Sequence, residues 1–63
     1  MLSTVRRIEE SGKIITLSDN SKWLVDSVGA MKARFWSAGD SVEVGSDTLT
    51  NERSNDRVRA RKK

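Results

Sequence analysis

The sequence predicts an all-β fold, a small barrel of five or six short antiparallel strands, and three observations carry that expectation. Apolar residues recur at every second position, the period of a strand with one face buried. Residues suited to tight turns interrupt these runs at short intervals. The chain has only 63 residues, and a domain of about that size buries only ~60% of the surface its unfolded chain exposes. One domain is therefore expected, with residues 1–52 forming the barrel and residues 53–63 continuing it as a basic strand or tail.

The first strand is expected over residues 3–10. Val5 and Ile8 lie three positions apart, so a flat strand cannot bury both, and a bulge or strong curvature is needed to reconcile them. Ser11-Gly12 then turns the chain into residues 13–18, where Ile15 and Leu17 share a face. Asp19-Asn20-Ser21 supplies side chains that bond their own backbone and tolerate positive φ. The next run, residues 22–26, puts Trp23 and Val25 on one face, so the two runs read as a hairpin.

Residues 28–36 support two readings. As a helix, they place Val28, Met31 and Phe35 on one face, although Gly29 and the short length weaken it. As a strand, they point Met31, Ala33 and Phe35 one way and Lys32, Arg34 and Trp36 the other. Gly39-Asp40 next turns into residues 41–44, where Val42 and Val44 alternate with polar neighbours. Gly45-Ser46-Asp47 leads to a short strand centred on Leu49, and residues 56–61 alternate Val58 and Ala60 with Arg57, Arg59 and Arg61. The expected core is Ile15, Leu17, Trp23, Val25, Val42, Val44 and Leu49.

Residues 12–25 (GKIITLSDNSKWLV), residues 36–44 (WSAGDSVEV) and Leu49-Thr50-Asn51 together resemble the pattern of small bacterial domains with an SH3-like barrel. Asn20 stands where such turns often have Gly, and Asn also accepts a left-handed conformation. The resemblance implies a non-catalytic binding module for nucleic acid, peptides or other subunits. It assigns no site residue.

Composition narrows function by exclusion. The chain has no His and no Cys, which removes the ordinary general base, imidazole and thiolate ligands, and disulfide staples. Ser and Thr are plentiful but lack a base to activate them, and Glu9 and Glu10, being adjacent, face opposite ways on a strand. Asp40, Glu43 and Asp47 lie near turns but lack the regular spacing of a calcium loop. No enzyme activity, metal or cofactor is expected. With no long apolar run and no leader-like start, the expected setting is cytoplasmic, away from any membrane.

Charge supplies the functional candidates. Residues 51–63 hold six basic and two acidic groups in a chain whose formal net charge is +3. On a strand, Arg57, Arg59 and Arg61 would project from one face about 6.6–6.8 Å apart. Lys62 and Lys63 would extend the charge, and Arg53 would join it. That is a ladder suited to phosphates; the plainer reading is an edge strand protected by charge, or a frayed tail. Trp36 likewise has two readings. It either caps the open end of the barrel or, with Lys32 and Arg34, forms an outward stripe able to stack on a base. The alternative function is protein interaction or self-association, through an open sheet edge or through Trp36, Met31 and Phe35.

Overall fold

Two meanders of three strands, joined by a short helix, wrap into a closed cylinder. A computed structural model describes residues 1–63. The first meander holds β1 (Leu2–Glu9), a 3-10 turn (Glu10–Gly12), β2 (Ile14–Leu17) and β3 (Lys22–Val25). Helix α1 (Ser27–Ala33) crosses to β4 (Ser41–Val44), β5 (Thr48–Asn51) and β6 (Arg57–Lys62). All pairings are antiparallel, in the order β1-β2-β3-β6-β5-β4, and β4 returns to β1. Closure of this kind leaves no sheet edge, so an open edge is not there to serve as a docking surface.

Alternation fills the barrel. Val5, Ile15, Leu17, Trp23, Val25, Val42, Leu49, Val58 and Ala60 are buried in one cluster, with Ile8 and Val44 half-buried against it. Of the expected core only Val44 is less than fully enclosed. The bulge in β1 is present: Val5 pairs with Leu17, the next partner of β2 is Arg7, and the register shifts between them. One extra residue thus lets Val5 and Ile8 both turn towards the core. Asn20 takes φ 70° in the β2–β3 turn, the left-handed conformation expected of it.

Residues 27–33 are helical, which overturns the strand reading, and the helix faces the opposite way from the periodicity. Val28, Met31 and Phe35 are 69%, 65% and 70% exposed, whereas Gly29, Ala30 and Ala33 are buried. The reason is close approach. A Cβ on Gly29 would lie 2.8 Å from both Val25 Cγ1 and Val58 Cβ, so only small residues fit between the helix and the barrel. The Asp26 side chain caps the first turn by accepting from the Gly29 N–H at 2.7 Å. On the other side, Gly12 (φ 95°) seats the helix on the 3-10 turn, since a Cβ there would meet Ala30 O and Arg34 N at 2.6 Å.

The helix also decides the fate of Trp36. It is 5% exposed and joins the core cluster, closing the barrel beside Ala33. It has no outward face. Residues 57–62, in turn, form a barrel strand between β3 and β5 instead of a frayed tail.

Gly12→Ala should destabilise the domain by about 2–4 kcal/mol, combining left-handed strain with overpacking against the helix backbone. Cores of this size rarely supply more than about 3–5 kcal/mol. A urea titration followed by circular dichroism should therefore find the variant's midpoint much lower than that of the native chain, with little stability left without denaturant. An unchanged midpoint would show that the helix does not rest on this turn.

Candidate functional site

Polar chemistry concentrates in two places, one closed and one open. The closed one is built on Asp40, buried at the entry to β4. Its carboxylate accepts from Ser37 N–H at 2.8 Å, Asn51 Nδ2 at 2.9 Å, Arg53 Nε at 2.9 Å and Arg53 Nη2 at 3.0 Å. Asn51 is fully buried, and its Oδ1 accepts from the N–H groups of Arg53 and Ser54. This network pins the β5–β6 loop to the α1–β4 loop. Asp40 is thereby committed to protein donors, not poised for a cation, and Arg53 belongs to this pair, not to the basic ladder. No group of three or more His, Cys, Asp or Glu side chains is placed to hold a metal ion.

The open place is the outer face of the sheet. Along β6 the burial alternates, so Arg57, Arg59 and Arg61 are exposed on the outside, and Lys63 continues their parity. Lys62 is exposed too, but it pairs with Trp23 and shares the parity of Val58 and Ala60 at the barrel rim. The ladder extends sideways across the sheet. The Lys63 N–H donates to Lys22 O at 2.7 Å, Lys22 pairs with Thr16, and Thr16 pairs with Arg7. Arg53 is the only Lys or Arg side chain in an ion pair; the other pair joins the N-terminal ammonium to Glu43. The cations on the outer face therefore have no carboxylate partner.

Two concavities lie on this face. One, of about 440 Å³, runs along the β3–β6 seam and is lined by Leu24, Arg59 and Arg61 together with Asp26 and Asp47. The other, of about 370 Å³, is lined wholly by polar side chains: Arg6, Arg7, Thr16, Asn20 and Lys22. Sequence reasoning selects none of these five as a site residue. A signal is present all the same. The spacing of Val5 and Ile8 demands a bulge, and that bulge leaves Arg6 and Arg7 both exposed.

Lys32 lies in α1 and Arg34 caps it, both exposed. Arg34 sits over the Phe35 ring at 4.8 Å, a cation–π arrangement. With Trp36 buried, the expected stripe of Lys32, Arg34 and Trp36 does not form; the exposed aromatic here is Phe35. No helix is long and apolar enough to cross a membrane. Comparison of the chain with protein-family models, curated proteins and solved structures gave no match.

Asp40 generates a pH prediction. Hydrogen bonds from Arg53, then from Ser37 N–H and Asn51, hold its carboxyl well below the usual carboxylate range. A folded-state pKa below the unfolded value of about 3.9 means that ionised Asp40 adds stability in full above about pH 5. That stability drains away as pH falls towards the folded value. Asp40→Asn should thus have a lower urea midpoint than the native chain at pH 7, with the gap narrowing steadily between about pH 4 and pH 2. A gap constant with pH would contradict the ion-pair account.

Proposed function

We propose that the chain is a non-catalytic binding module that associates with nucleic acid through the outer face of β6. The observation that supports this reading is the run of Arg57, Arg59 and Arg61, exposed on one side of β6 with Lys63 exposed just past its end, all unpaired with any carboxylate. Arg donates two parallel hydrogen bonds to phosphate oxygens, and a rigid strand presents such groups at fixed intervals. Lys62 adds charge at the rim, while Lys32 and Arg34 contribute to the wider positive field. Trp36, being buried, has no stacking role in this reading. We read the barrel as one of the SH3-like kind that its sequence resembles in bacteria, working in the cytoplasm. Without His or Cys, no catalytic role is assigned.

A second reading is favoured by one observation, the exposure of Val28, Met31 and Phe35 on and just after α1. It makes that face a contact for another protein or a second copy. In that case Phe35→Ser should abolish concentration-dependent sedimentation and leave oligonucleotide binding untouched.

Fluorescence anisotropy of labelled oligonucleotides tests the first reading. With about four phosphate contacts, raising salt from about 50 to 200 mM should weaken binding roughly 150-fold for a duplex and roughly 50-fold for a single strand. Replacing Arg57, Arg59 and Arg61 together by Gln should flatten the salt response on a duplex, by about 0.9 in log–log slope for every phosphate no longer neutralised. A native affinity that ignores salt, or one the triple variant shares, would remove the proposal.

A further inference from the structure

We infer that the polar basin on β1, β2 and β3 is a discrete binding site for a phosphoryl group, built by the bulge in β1. Two consecutive strand residues ordinarily point to opposite faces. Here the register shift leaves Arg6 and Arg7 both exposed and lining one concavity, with Lys22 on the far wall. Bulges re-aim side chains in this way beside functional sites. The Arg6 Nη1 donates to Asn20 Oδ1, which ties the bulge to the β2–β3 turn and fixes one wall of the basin. Three cations thus converge where no acid opposes them. Asp19, the acid of that turn, is engaged within it by the Ser21 N–H and hydroxyl.

Thr16 is the second, independent observation. It is 8% exposed, lines the basin, and its Oγ1 is buried without a hydrogen-bond partner in the protein. A buried hydroxyl left unpaired costs stability, where a valine of the same shape would not. Its cross-strand neighbours are Arg7 and Lys22, one on each side. Both are exposed and free of ion pairs, so they can part to admit an anion and then close on it. The hydroxyl would donate to one ligand oxygen, Lys22 would supply a point charge, and an Arg fork would take two further oxygens. A tetrahedral anion with several acceptors uses all of these groups; a single carboxylate does not. The other unpartnered buried atom, Trp36 Nε1, has no such surroundings and enters no site.

The shared chemistry has two sources, a free phosphate or phosphomonoester and the backbone of a nucleic acid, and the test separates them. The native chain is titrated at constant ionic strength with inorganic phosphate and, separately, with a short oligonucleotide, while backbone amide shifts are followed by NMR. Saturable shifts of Thr16, Asn20 and Lys22 with either ligand are expected, and the ligand that produces them identifies the source. Thr16→Val should weaken that binding about tenfold while leaving the urea midpoint equal or higher. Arg7→Gln with Lys22→Gln should abolish it. Shifts that stay linear with both ligands, undiminished binding in Thr16→Val, or a lowered midpoint in that variant would each overturn the assignment. The β6 triple variant keeps this result separate from the nucleic-acid reading, because phosphate binding that survives it upholds the basin alone.

Discussion

Strand β6 closes the barrel by pairing with β3 on one side and β5 on the other, and the remaining architecture depends on that seam. Val58 and Ala60 reach the core only because the strand is held there, and Gly29 packs against Val58 only once it is in place. The same pairing turns the odd-numbered residues outward. A short chain with no disulfide has few other ways to satisfy its edge groups, so burial inside and positive charge outside are two consequences of one register. Charge on this strand is therefore compatible with order: the guanidinium groups stay in water while the small alternate side chains fill the barrel.

Much of this is legible in the sequence because strand period is strict. Ile15, Leu17, Trp23, Val25, Val42 and Leu49 are buried where alternation places them, and Val5 and Ile8 announce the bulge by their spacing. The helix face departs from the periodicity for a physical reason. Large apolar residues usually mark the buried face, but a helix pressed against a strand and a turn buries its smallest ones, so Gly29, Ala30 and Ala33 lie inside and Val28, Met31 and Phe35 lie outside. Trp36 follows from that arrangement, since ending the helix before it sends its ring into the barrel mouth. The Asp40, Asn51 and Arg53 network is beyond sequence reasoning, because it joins two loops whose proximity exists only after closure.

The candidate sites divide along the same line. The β6 ladder lies within one strand and can be read from alternation alone. The basin draws Arg6 and Arg7 from one strand, Thr16 from the next, Asn20 from a turn and Lys22 from a third strand. Only register brings them together. Electrostatics then separates structural from available charge: Arg53 spends its guanidinium on a buried carboxylate that staples two loops, whereas the outward cations hold no such partner. A cation engaged in the fold is a poor candidate for a ligand, and an unengaged one on a rigid sheet is a good one.

Native-state amide hydrogen exchange tests the closure of the barrel most directly. The Ala60 N–H donates to Asp47 O and the Asp26 N–H to Arg59 O, both along β6. If the strand is integral, these amides exchange through global unfolding, as slowly as those of Val5 and Leu17 in the β1 and β2 seams. Rapid exchange at Ala60 and Asp26 beside slow exchange at Val5 and Leu17 would show that the last strand opens by itself, and the account of both core and binding face would fail.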